Sequence, residues 1–393
     1  MEQCNYIHRP ITTIESLASA LGKEKELLLE VSSLDDARKY RRPKSNVYKK
    51  DGSRRNIMTP VREVRSIQYR INQNIFKKSI SWPNYLFGSI PKADSLDSPQ
   101  DYIEAAHMHC GAKTICSLDV SDFFDNVHSD DVFDIFSRLF RYSEEVSDIL
   151  TKLVTYKEHL VQGALTSSYL AMLVLWEREP LVVEKLKRKK IVYTRLVDDI
   201  TLSAKKHDYD FSLGIKEIEN MLHDKGLYFN ATKIDRQCIS NQLLLVHGLN
   251  VTKDHPALPK NEAKKIRAAV RNIESIALKG IDRKELWYRK EYNRCLGRVF
   301  KLKRFGKLKS FKNLKNRLEK IKPIPSQNDV RYSKIRVSAL ENDFVNIAKR
   351  DSYNYLRRYS IANHRVSFLK DYFQEDYLEL RRRLRLILPT YQK

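Results

Sequence analysis

Asp198 and Asp199 stand side by side in Tyr193-Thr194-Arg195-Leu196-Val197-Asp198-Asp199-Ile200-Thr201-Leu202-Ser203, with apolar residues on both flanks. The pattern predicts strand, tight turn, strand, with two carboxylates displayed at the turn. Adjacent buried carboxylates repel each other and are costly to desolvate unless a cation compensates them. A second acid stands at a strand end far upstream, Asp119 in Cys116-Ser117-Leu118-Asp119-Val120-Ser121-Asp122-Phe123-Phe124. Two separate strands bringing acids to one point is how a site for two Mg²⁺ ions is built. Such ions sit about 3.5–4 Å apart and drive in-line phosphoryl transfer.

Several elements must hold these acids. Apolar spacing predicts helical segments within residues 1–45, at Ser16 to Leu21 and Glu26 to Val31. Lys49-Lys50-Asp51-Gly52-Ser53-Arg54-Arg55 reads as a basic hairpin turning at Asp-Gly. A helix is expected from Val61 to Phe76, and residues 80–100 are rich in loop signals. Asp119 lies on a strand over 115–120. Helices are expected over 130–139 and 143–155, and Gln162-Gly163 opens a turn into an apolar helix ending at Leu175. After the Asp198-Asp199 hairpin come a helix over 211–225 and a strand pair over 243–251. From Asn261 the chain reads as helical and basic. Pro323 and Pro325 mark a linker, and residues 330–393 read as helical and rich in Tyr and Arg.

The 393 residues carry 73 Lys and Arg against 49 Asp and Glu, a net charge of +24. A surplus of this size points to a polyanionic partner, because each neutralised phosphate releases counterions. It is concentrated: Lys260 to Lys322 holds 22 basic and 6 acidic residues. Apolar content of 42% excludes a disordered chain. No apolar run reaches the length of a membrane span, and no signal-peptide pattern is expected at the N-terminus. The five cysteines form no CxxC pair, and the ten histidines show no HExxH spacing. The scattered, odd cysteine set fits a reducing cytosol and a cytoplasmic location, and argues against a disulfide framework or zinc site.

In this order the pieces resemble the fingers, palm and thumb of a reverse transcriptase, nearest to bacterial retron-type and defence-associated enzymes. The resemblance runs from Lys49 to Lys309. It implies an α+β right-hand polymerase fold, with fingers and an antiparallel palm sheet over 46–258. A basic helical thumb follows over 259–322. The segments 1–45 and 330–393 become N- and C-terminal helical additions. Arg54-Arg55-Asn56-Ile57 before Pro60 is similar to the fingers hairpin, with Arg55 as the residue that grips the incoming triphosphate; Arg offers phosphate a bidentate fork. Ala105-Ala106-His107-Met108-His109 resembles a retron segment usually written NAxxH, with Ala105 in place of Asn. His109 reads equally as a structural and as a functional histidine.

Asp119 with Val120 and Phe123-Phe124 is similar to motif A. There Asp119 would bind both metals, the Val120 carbonyl would complete one shell, and Phe124 would exclude a 2′-OH. Val161-Gln162-Gly163-Ala164-Leu165-Thr166-Ser167-Ser168 resembles motif B, with Val161 and Ser168 replacing two prolines. Gln162 and Gly163 would contact the templating pair. Leu196-Val197-Asp198-Asp199 resembles the Tyr-x-Asp-Asp motif. Asp198 would be the second metal ligand, Asp199 its support, and Leu196 would replace a Tyr beside the primer end. Lys233 in Lys225-Gly226-Leu227-Tyr228-Phe229-Asn230-Ala231-Thr232-Lys233 is similar to the motif D lysine that serves the leaving pyrophosphate. Val246-His247-Gly248-Leu249 resembles the primer-grip region. Lys264, Arg267, Arg271 and Arg298 would lie on a thumb that tracks the sugar–phosphate backbone.

The resemblance implies RNA-templated addition of dNTPs to a primer 3′-OH with two Mg²⁺ ions, or Mn²⁺ in their place. The template would be a structured non-coding RNA and the product DNA, in antiphage defence. An effector protein or a second copy of the chain are further candidate partners, and a membrane is not. Competing readings are an intron-encoded or diversity-generating enzyme, a template-independent or protein-primed polymerase, and a non-catalytic RNA scaffold. Tyr353, Tyr355 and Tyr359 are the candidate priming hydroxyls. No RNase H pattern of spaced acids follows the thumb. Arg381, Arg382, Arg383 and Arg385 share a helix with Leu378, Leu380, Leu384 and Leu386 that reads as either a binding or a solvated face.

Overall fold

A computed structural model describes residues 2–43, 46–48, 52–91, 99–279 and 283–390. The chain divides into two compact units, Met1–Ala257 and Leu258–Lys393. The class is α+β, as expected.

The first unit is built on five strands: β1 (Leu86–Phe87), β2 (Thr114–Asp119), β3 (Val192–Leu196), β4 (Asp199–Ala204) and β5 (Asp235–Cys238). Their spatial order is β1-β3-β4-β2-β5. Branched and apolar residues such as Ile115, Leu118, Ile200 and Leu202 are buried along the central strands, which fixes the register. The sheet is antiparallel as predicted except at one edge, where β1 runs parallel to β3 with Leu86 opposite Arg195 and Phe87 opposite Leu196. A parallel pair needs a long crossover, and the stretch between these two strands supplies it.

The helices Ile14–Leu21 and Lys25–Ser33 bury Leu17, Leu21, Leu28 and Val31 in the same core as the sheet. The helix expected from Val61 to Phe76 runs as α-helix over Arg62–Ile71 and closes in a π-helical turn, Asn72–Phe76. Gln68 is fully buried. It donates to the Tyr40 hydroxyl (2.7 Å) and the Leu153 carbonyl (3.0 Å), and accepts from the Leu165 N–H (3.1 Å). A buried amide satisfied this fully locks its neighbours in one arrangement. Helix α1 (Ser167–Leu173) is buried along most of its length.

The second unit is helical: α2 (Lys260–Leu278), α3 (Leu286–Arg304) and α4 (Leu308–Glu319), then α5 (Gln327–Phe344), α6 (Tyr353–Phe368) and α7 (Gln374–Leu386). Pro323 and Pro325, expected to mark a linker, are buried. Arg289 of α3 forks the Asp329 carboxylate of α5 at 2.9 and 2.8 Å and lies 4.2 Å from the Phe368 ring of α6. The last three helices share a core that includes Val337, Leu340, Tyr355, Val366, Leu380 and Leu384. Leu378 and Leu386, expected on the apolar face of α7, are exposed. No helix among the described residues is long and apolar enough to cross a membrane.

Candidate active site

Strands β3 and β4 are joined by the two-residue turn Val197-Asp198, with Leu196 paired to Asp199. Val197 has φ +60°, the positive value that the first residue of a tight hairpin turn takes and that glycine usually supplies. A β-branched residue there is strained. The other half of the site comes from β2, whose Asp119 is paired directly with Asp199 of β4. The Val120 N–H donates to the Asp198 carbonyl at 3.1 Å, so the turn is pinned to the end of β2. Asp119 and the adjacent pair Asp198-Asp199, far apart from it in sequence, meet at one end of the sheet.

Like charges placed directly opposite one another destabilise a ladder. Burial first, then the neighbouring Asp119, holds the Asp198 carboxyl above its ordinary value, while Arg55 and Lys233 pull it back. Solvent reaches Asp199 through an open cleft, yet the flanking protein and the other two acids push its carboxyl up to about 6. Lys233 answers the acids directly: its Nζ donates to Asp119 Oδ2 at 2.7 Å. That contact raises the lysine pKa. The segment before Lys233 is held beside β2, because the Asn230 N–H donates to the Asp119 carbonyl (2.9 Å) and the Ser121 N–H to the Tyr228 carbonyl (2.8 Å). Asn230 then caps the short 3₁₀ turn Ala231–Lys233 through the Thr232 N–H.

Arg54 pairs antiparallel with Tyr48, and the Arg55 N–H donates to the Val47 carbonyl at 2.8 Å. The two arms of the expected hairpin are therefore present; Lys49, Lys50 and Asp51 lie outside the described residues. Arg55 is exposed and close enough for its charge to act on Asp198. Phe124 is half-buried against Phe123. Gln162 bridges Ile57, and its carbonyl accepts the Met58 N–H at 2.9 Å. Gly163 sits at φ +109°, where an added Cβ would lie 2.3 Å from the Met58 carbonyl oxygen. The close approach that requires this glycine is thus to the chain's own residue 58. Leu196 covers Gly88, where an added Cβ would lie 2.7 Å from Leu196 Cδ1.

Lys264, Arg267, Arg271 and Arg298 belong to the second unit. The first three form one exposed stripe along α2, and Arg298 is exposed on α3. The candidate priming residues fare differently. The Tyr355 hydroxyl donates to the Ile387 carbonyl (2.9 Å) and that of Tyr359 to the Leu384 carbonyl (3.1 Å), which commits both to packing. The side chain of Tyr353 lies outside the described residues. His109 proves structural: it is buried between Ser203 Oγ (2.7 Å) and Thr194 Oγ1 (2.8 Å), and burial lowers its pKa to about 3. On α7, Arg383 is held by Glu341 and Glu379, leaving it unavailable as a free binding cation.

Sequence reasoning passed over Arg195 and Glu179. Arg195, in the strand that leads into the turn, is fully buried and forks the Glu179 carboxylate at 2.6 and 2.7 Å. The signal was present, since a charged residue inside an apolar strand demands a buried partner.

The donors suit a hard divalent cation: they are oxygens only, from acids that repel one another without one. Among the described residues no three of His, Cys, Asp or Glu close on a single point as a cage. Mg²⁺ seldom uses such cages; it takes one or two carboxylates together with substrate phosphates. Asp119 and Asp198 provide two carboxylates.

A family model described as "Reverse transcriptase (RNA-dependent DNA polymerase)" matches residues 47–272. The retron Ec48 reverse transcriptase of Escherichia coli is 39% identical over 363 residues, covering 92% of this chain and 88% of the relative. This chain belongs to the retron reverse transcriptases. The retron Se72 enzyme of Salmonella heidelberg is 32% identical over 84% of each chain. Among solved structures, apo telomerase from Candida tropicalis is a distant likeness, with 12% identity, a TM-score of 0.34, and coverage of 69% of this chain and 53% of that one. The family model and the two retron relatives make the protein an RNA-dependent DNA polymerase. Members of its family use an RNA template, nucleotide substrates and divalent metal ions.

Proposed function

We propose that this reverse transcriptase copies a dedicated, structured non-coding RNA into DNA in the cytoplasm, as part of bacterial antiphage defence, by a two-metal mechanism. The observation that carries the mechanism is the pairing of Asp119 with Asp199 beside the turn that displays Asp198. In this reading Asp119 and Asp198 hold two Mg²⁺ ions, and the Val120 carbonyl completes one shell. Mn²⁺ is the other ion such oxygens accept. Bound there, the ions supply a lowered pKa for the primer 3′-OH and charge neutralisation for the triphosphate. Asp199 supports its neighbour.

Arg55 grips the triphosphate from the fingers arm. Phe124 excludes a 2′-OH by bulk. Gln162 and Gly163, anchored on Met58, form the floor under the templating pair, and Leu196 flanks the primer end. The Lys233 ammonium, held on Asp119, is the proton donor to the departing pyrophosphate in this reading. Lys264, Arg267, Arg271 and Arg298 contact the sugar–phosphate backbone without reading bases. The likeness to enzymes named for retrons supports the dedicated template.

The test is to sequence the RNA and DNA that co-purify with the protein. One structured RNA joined to or paired with DNA is the expected result. A mixture of cellular RNAs contradicts a dedicated template. Homopolymer DNA made without RNA points instead to untemplated synthesis, the reading that Leu196, Val161 and Ser168 leave open.

A further inference from the structure

Arg195 is the largest fully buried side chain among the described residues, and it lies three residues before Asp198. Its guanidinium makes two sets of contacts. Nε and Nη2 donate to Glu179 Oε1 (2.6 Å) and Oε2 (2.7 Å), a bidentate pair that the Tyr193 hydroxyl completes at 2.7 Å. The remaining N–H groups go to backbone carbonyls: Nη2 to Met172 (2.8 Å), and Nη1 to Ala171 (3.2 Å) and Val197 (3.1 Å). Ala171 and Met172 form the last turn of α1, where carbonyls lack helical partners and a cation is favoured. Val197 is the residue held at φ +60° in the turn. A β-branched residue keeps that conformation only where its surroundings over-determine it.

We propose that Arg195, fixed by Glu179, is the positioning residue of the catalytic turn: it grips the Val197 carbonyl and ties the turn to α1, so that Asp198 is presented at a set height beside Asp119. The planar fork matters, because a lysine ammonium in the same place cannot reach the carboxylate and three carbonyls together. This inference rests on the reading of Asp198 as a metal ligand. An ordinary core ion pair, by contrast, contributes bulk and is replaceable by apolar side chains of similar volume.

The test compares Arg195→Met combined with Glu179→Met, which removes both charges together and leaves no unpaired partner, with Arg195→Lys and Asp198→Asn. Amide exchange is measured on metal-free protein, and primer extension is measured against dNTP concentration. In the double variant, exchange of the amides of residues 197–199 and of the Val120 N–H should rise on the order of tenfold as the turn opens locally, with 114–118 unchanged. The kcat should fall on the order of 100-fold, with KM for dNTP within about threefold, as expected of a displaced reacting group. Arg195→Lys should fall between. Wild-type turn exchange and kcat in the double variant, beside an inactive Asp198→Asn, overturn the proposal. An active Asp198→Asn overturns the ligand reading instead, while the exchange result still reports on the clamp. Should the double variant fail to fold, Arg195→Lys carries the same two readouts.

Discussion

Asp119 facing Asp199 was legible as a pair of acids converging from two strands. The Lys233 ammonium on Asp119 was not, and Arg195 signalled a buried partner without naming Glu179, because these contacts join residues 114 and 16 positions apart through geometry that no local pattern encodes. His109 shows the same limit. Its two hydroxyl partners, Ser203 and Thr194, lie on β4 and β3, so its structural role emerges only when the sheet forms. Burial, and then His247, which is itself lowered to about 4, holds the folded His109 pKa near 3 against an ordinary 6.5. Between those values the unfolded chain binds a proton that the folded chain refuses. Stability is therefore lost as pH falls from 6.5, with His109 contributing a slope of up to about 1.4 kcal/mol per pH unit. Denaturant melts across pH 4 to 7 should show a shallower slope for His109→Gln than for the parent. Identical slopes would remove His109 from the acid sensitivity.

The turn at Gln162-Gly163 was readable from its glycine, but the partner of its close approach was not. Here Gly163 meets Met58, a contact between segments 105 residues apart that depends on how the helix Arg62–Ile71 delivers the chain. Replacing Gly163 with Ala sets a Cβ against the Met58 carbonyl at a positive φ that alanine resists. Gly163→Ala should destabilise the fold by more than about 1 kcal/mol. It should also weaken dNTP-dependent extension, read by melting and by primer extension together. Unchanged melting and extension would show that residues 57–58 yield without consequence. The strand edges illustrate a further boundary of sequence reading. The short strand Leu86–Phe87 carries no alternation long enough to announce a parallel partner, whereas β2 and β4 announce theirs through buried residues and register.

The charge distribution was legible from composition alone. The segment expected to be a basic helical thumb falls in a helical second unit, where Lys264, Arg267 and Arg271 form a stripe on α2 and Arg298 is exposed on α3. The buried Pro323 and Pro325 were misjudged as a linker, because prolines also end helices inside compact structures. If the stripe tracks a backbone, changing these four cations to Ala should lower the slope of log affinity against log salt. The drop should be up to about 3 for single strands, with melting unaffected. An unaltered slope would place the nucleic acid elsewhere. The proposed mechanism turns on two ions held by Asp119 and Asp198. Its most direct measurement is the number of Mn²⁺ ions bound per chain, by electron paramagnetic resonance, in a complex with a dideoxy-terminated primer, RNA template and the next dNTP. Two ions are expected for the parent and fewer in Asp119→Asn and in Asp198→Asn. Two ions retained in both variants would contradict the mechanism.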